Sequence, residues 1–96
     1  MASAKEFLDY ILEQIELDSI MTRKMMGEYL LYYGGILFGG VYDNRLLVKI
    51  TDTNSTFGME KQIPYEGAKE MYMVSDLENR EVLKNIVVKT CEGLAK

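Results

Sequence analysis

The segment Arg23-Lys24-Met25-Met26-Gly27-Glu28-Tyr29-Leu30-Leu31-Tyr32-Tyr33-Gly34-Gly35-Ile36-Leu37-Phe38-Gly39-Gly40-Val41-Tyr42-Asp43-Asn44-Arg45-Leu46-Leu47-Val48-Lys49 reads as three apolar runs separated by Gly34-Gly35 and Asp43-Asn44. Each separator is a residue pair that tolerates positive φ, which two-residue hairpin turns demand. The pattern predicts a three-stranded antiparallel meander. Turns of that length also set a register: Tyr33 opposite Ile36, Leu31 opposite Phe38, Tyr29 opposite Gly40, Val41 opposite Leu46 and Gly39 opposite Val48. Side chains alternate along a strand, so the meander divides into two faces. One carries Leu30, Tyr32, Leu37, Gly39, Val41, Leu46, Val48 and Ile50. It is mostly aliphatic and is the expected core face. The other carries Tyr29, Leu31, Tyr33, Ile36, Phe38, Gly40, Tyr42, Arg45, Leu47 and Lys49. Its tyrosines and two cations can reach water, so it is the expected open face. Gly27 interrupts the lead-in from Ile20 to Met26 and predicts a bulge or a close backbone approach.

On the N-terminal side, Phe7, Leu8, Ile11, Leu12 and Ile15 recur at helical spacing, with Glu6, Asp9, Glu13 and Glu16 opposite. That is an amphipathic helix, started by a Ser3–Glu6 capping box. On the C-terminal side, Thr51 to Gln62 is a polar loop or short helix. Lys69 to Val74 predicts a further strand. A second capping box, Ser75 to Glu78, introduces a helix that carries Val82, Leu83, Ile86, Val87, Cys91 and Leu94. The whole predicts a single α+β domain over residues 1–96. It is two-layered, an antiparallel sheet with the N- and C-terminal helices packed on one face.

The chain has 96 residues, a net charge of -4, one cysteine and no histidine. One cysteine forms no internal disulfide, the N-terminus lacks a signal-peptide pattern, and no apolar run approaches the ~20 residues of a bilayer span. A cytoplasmic location without membrane contact is the expectation. Lacking histidine, the chain has no Ser-His or Cys-His pair and lacks the commonest zinc ligand. Cys91 falls on the apolar stripe of the last helix and reads as a buried thiol. Asp52-Thr53-Asn54-Ser55-Thr56 starts like a calcium loop, but Phe57 stands where glycine is needed and Ile63 where glutamate belongs, so a capped turn is expected. Gly34-Gly35 and Gly39-Gly40 lack the Lys-Ser/Thr and helix of a phosphate loop. Met21, Met25, Met26, Met71 and Met73 read as core filling ahead of an adaptable surface. No catalytic residue, cofactor or metal is expected.

Arg23, Met25, Gly27, Tyr29, Tyr32, Gly35, Phe38, Leu46 and Lys49 form the pattern R-x-M-x-G-x-Y…Y…G…F…L-x-x-K. In these residues, and more loosely in Tyr65-Glu66-Gly67-Ala68-Lys69, the chain resembles the N-terminal domain of the TfoX/Sxy family, bacterial regulators linked to DNA-uptake competence. Glu28 departs from the family pattern, which has a second glycine there. The resemblance implies an α+β two-layer domain without established catalytic residues, here as a stand-alone version lacking the family's C-terminal domain. The expected function is therefore a small non-catalytic regulatory or protein-interaction module. Its expected interaction face is Tyr29, Leu31, Tyr33, Phe38, Tyr42, Arg45, Leu47 and Lys49, which a symmetric homodimer would bury. The alternative is an accessory nucleic-acid-binding protein using Arg23, Lys24, Arg45 and Lys49 beside the tyrosines. The acidic balance and the lack of an RNA-binding signature argue against that reading.

Overall fold

Three consecutive two-residue turns shape the first half of the computed structural model, which describes residues 4–95. Helix α1 (Lys5–Ile15) leads into β1 (Ile20–Met25), β2 (Glu28–Tyr33), β3 (Ile36–Tyr42) and β4 (Arg45–Val48). A single 3-10 turn, Ser55–Phe57, then precedes β5 (Glu60–Gln62), β6 (Met71–Met73) and α2 (Arg80–Leu94). The six strands make one antiparallel sheet in the order β1-β2-β3-β4-β6-β5. Both helices pack on one face of it, giving the two-layer α+β fold.

Gly34-Gly35 and Asp43-Asn44 occupy the predicted turns, all four with positive φ. Met26 (φ 53°) and Gly27 (φ 85°) form a third turn of the same kind. Gly27 therefore sits in a hairpin turn, where a bulge or a close backbone approach was expected. The bulge lies elsewhere. β2 and β3 pair Tyr33 with Ile36 and Tyr32 with Leu37, but Leu31 then pairs with Gly39 and Tyr29 with Val41. Phe38 is the extra residue, and past it the alternation of β3 is reset against β2. This corrects the predicted register and the faces derived from it. Tyr29, Leu31 and Phe38 join Val41, Leu46 and Val48 in the core under the helices, with Tyr33 and Ile36 at its margin. Leu30, Tyr32 and Leu37 turn to the opposite face, and Ile50 is 38% exposed.

From the helices the core receives Leu8, Ile11 and Ile15 of α1, and Leu83, Ile86, Val87 and Cys91 of α2. Each fully buried side chain of this size contributes about 1.5–3 kcal/mol relative to exposure. Gly39 answers to a steric demand. A Cβ there would stand 2.9 Å from the Cα of Val48 and collide with the Leu47 carbonyl.

The expected capping box of α1 rests on Ser3, outside the described residues; the N-cap position is held by Ala4, which has no capping side chain. The second helix starts later than predicted. Its cap is Asn79, whose side chain accepts from the Val82 amide at 3.2 Å. Ser75 to Glu78 stays outside the helix, and the Leu77 carbonyl accepts from Gln14 Nε2 at 2.7 Å. Arg80 bridges the helices through Glu16, at 2.8 Å, and the side-chain oxygen of Gln14, at 3.2 Å.

Candidate functional site

The face of the sheet away from the helices is half covered and half bare. Strand alternation places Met21, Arg23 and Met25 of β1, Leu30 and Tyr32 of β2, Tyr42 of β3, and Arg45 and Leu47 of β4 on this side. Over its β4 end runs the connection 63–70, between β5 and β6. Arg45 holds that connection down. Its guanidinium donates to Gln62 Oε1 at 2.6 Å and to the carbonyls of Ile63 and Pro64 at 3.3 Å each. Tyr65 then lies against Tyr42, with ring centroids 6.2 Å apart at 51°. Leu47 is fully buried although it lies outside the helix-side core.

A cleft of about 570 Å³ lies beneath the connection. Gly39 and the largely buried Met71 line it, Leu37, Ile50 and Leu94 add apolar wall, and the two tyrosines add aromatic wall. Lys49, Lys69 and Glu70 bring charge to it. Burial, then the neighbouring Tyr65, Glu28 and Tyr32, push the Tyr42 hydroxyl above its ordinary pKa. It thus remains a neutral donor across the physiological range.

The β1–β2 half of this face has no such cover. Met21, Met25 and Met26 are 66%, 50% and 96% exposed. These three are surface residues, contrary to the core-filling expectation; Met71 is buried and Met73 half-buried. β1 is also an edge strand, so one side of its backbone pairs with no other strand of the sheet. Arg23 and Lys24 are exposed upon it and enter no ion pair among the described residues.

The predicted interaction face does not survive as one surface. Tyr29, Leu31 and Phe38 are core and Tyr33 packs against it, so these four present no open face. Tyr42, Arg45 and Leu47 do lie opposite the helices, but beneath or beside the 63–70 connection. Lys49 lines the cleft. Arg45 is a strut rather than a free cation, and its bonds to residues 17 to 19 positions away gave no local signal in the sequence.

The residues of the family-like pattern sort by role. Gly27 and Gly35 serve turns, while Tyr29, Phe38 and Leu46 serve the core. Arg23, Met25, Tyr32 and Lys49 serve neither and all lie on the face away from the helices or in its cleft. Glu28, at the departure from the pattern, accepts from the Asp43 amide at 3.2 Å and so braces the turn between β3 and β4.

Cys91 is buried in the core, and desolvation raises its thiol pKa. Asp52 to Thr56 forms a turn held by Asn54, which is fully buried. Its side chain donates to the Lys49 carbonyl and the Thr90 hydroxyl, both at 2.8 Å, and accepts from the Thr51 amide at 3.0 Å. Among the described residues no three His, Cys, Asp or Glu side chains cluster as metal ligands would, and no helix is long and apolar enough to cross a membrane.

No family model matches the chain. Over 60 residues it is 39% identical to an uncharacterized 12.7 kDa protein in the trpE 5′ region of Spirochaeta aurantia. The aligned part covers 60% of this chain and 52% of that protein, so the chain spans about half the length of its curated relative.

Proposed function

We propose that the protein is a non-catalytic interaction module of the TfoX N-terminal type, which engages a partner protein through the β1–β2 hairpin. The observation that carries this is the bare half-face: three exposed methionines beside half-buried Leu30 and Tyr32, bordered by a free strand edge. Flexible, polarizable methionine suits a surface that adapts to another chain. The resemblance adds support, because Arg23, Met25 and Tyr32 of its pattern have no evident duty in turns or core.

Charge selects the kind of partner. β1 reads Ile20-Met21-Thr22-Arg23-Lys24-Met25, with two cations and no acid, in a chain of net charge -4. Cations on an edge strand repel a second copy pairing with itself. They attract an acidic extended segment, which can add as a strand through main-chain hydrogen bonds while its apolar residues meet the methionines. The non-catalytic reading rests on the placement of the reactive groups: the thiol of Cys91 is enclosed in the core, and the Glu28 carboxylate is engaged with a turn amide.

The test pairs capture with mapping. Proteins retained by the wild type are compared with those retained by an Arg23→Glu/Met25→Asp variant whose circular dichroism is unchanged. The expected result is a partner lost by the variant, whose acidic segment protects β1 amides from hydrogen exchange. A partner retained equally by the variant, or protection confined to other elements, would overturn the reading. So would sedimentation showing that the wild type dimerises through β1.

A further inference from the structure

We infer that the cleft under the 63–70 connection binds a small amphipathic monocarboxylate, an aromatic or aliphatic body bearing one acid group. The cleft lies apart from the hairpin surface and carries none of its duties. Three observations lead to this ligand chemistry.

The first is size and wall. A volume of about 570 Å³ falls within the roughly 300–1,000 Å³ typical of small-molecule sites. Such sites are mostly apolar with a few placed polar groups, and here Leu37, Ile50, Met71 and the tyrosine pair supply the apolar part. The second is charge. Lys49 and Lys69 face the cleft, and neither enters an ion pair among the described residues. Glu70, on the same lining, offsets one of them. The remainder is a single positive charge, which one carboxylate balances; it repels a cation and leaves the second charge of a dianionic phosphate without a counter-charge. The third is preorganisation. Arg45 fixes the roof through three acceptors on residues 62 to 64, so the walls are in place before a ligand arrives.

The probe is 3-phenylpropionate, with 3-phenylpropan-1-ol as its uncharged counterpart, each titrated to about 10 mM against isotope-labelled protein while amide shifts are followed. The acid is expected to move the amides of Lys49, Ile50, Lys69 and Glu70 and to bind at least ~10-fold more tightly than the alcohol. Lys49→Met should weaken the acid roughly 10-fold. Glu70→Gln should tighten it severalfold, because it removes a repelling charge at an exposed position. That arm decides the matter even if the lysine variant folds poorly. Equal binding of acid and alcohol, shifts confined to other surfaces, no shift at all, or a Glu70→Gln variant that binds no more tightly would each overturn the proposal.

Discussion

Asn54 shows how much one buried polar side chain can hold. It is fully buried, and it joins the end of β4, the following turn and helix α2 through Lys49, Thr51 and Thr90. Thr90 passes the chain of bonds on to the Ile86 carbonyl at 2.7 Å, and Thr53 donates to the Lys89 carbonyl beside it. Closeness makes the join demanding: a Cβ on Gly93 of α2 would come within 2.7 Å of the Thr51 side chain. Asn54→Ala should therefore leave the partly buried Lys49 carbonyl and Thr51 amide, and the buried Thr90 hydroxyl, each short of a partner. The expected cost is about 2–3 kcal/mol, read as a fall in the urea midpoint at unchanged slope. Thr90→Val, which keeps shape and strands fewer groups, should cost less than half as much. Equal losses, or a silent Asn54→Ala, would mean that water replaces the side chain and that the turn is not what fixes α2. In the sequence, Asn54 was legible as a turn residue but not as a buried hub. Its partner Thr90 is 36 positions away, and a threonine on an apolar helix stripe carries no mark of what it bonds.

The three hairpins separate what pattern reading captures from what it misses. Gly34-Gly35 and Asp43-Asn44 were legible because their residue types name the turn. Met26-Gly27 makes the same turn with a residue that avoids positive φ, so its chemistry hid it and the sheet gained an unforeseen edge strand. The bulge at Phe38 had a larger effect. One extra residue exchanged the faces of β2 relative to β3, and moved Tyr29 and Leu31 from open surface to core and Tyr33 to its margin. The only local trace is the Gly39-Gly40 pair, where the chain crowds β4 and the Tyr29 carbonyl. Which of two apolar faces a helix covers is a tertiary decision that alternation within one strand cannot reveal. The Met26 turn yields a prediction of opposite sign to the usual mutation. Met26 is 96% exposed with φ 53°, so its side chain gives the fold little while its backbone is strained. Met26→Asn supplies the preferred residue for that turn and should stabilise the protein by about 0.5–1 kcal/mol, raising the thermal midpoint. A fall would show that Met26 packs on its hairpin in solution.

At the scale of the whole molecule, the two layers enclose protons as well as apolar surface. The sheet and helices bury the Cys91 thiol, and the sheet with its covering connection half-buries the Tyr42 hydroxyl. Desolvation is the leading cause in both cases, and it disfavours the anionic form. Each group therefore ionises at higher pH in the folded chain than in the unfolded one, whose values sit near the ordinary 9.0 and 10.0. Between the unfolded and folded pKa values the folded state holds more protons, so stability must fall as pH rises through that window. Below the unfolded values the contribution is complete and flat. The chain already carries a net charge of -4, so each added anion also increases its self-repulsion. Urea midpoints measured from pH 7 upward should hold level at first and begin to decline near pH 9. Cys91→Ala should delay the onset of that decline, and Tyr42→Phe should flatten its upper part. Neither substitution should alter the slope of the profile around neutrality. A midpoint that rises above pH 9 would contradict the assignment for both groups. An unchanged profile in either variant would show that its group ionises equally in both states, which for Cys91 would mean that the seam between α2 and the sheet admits water.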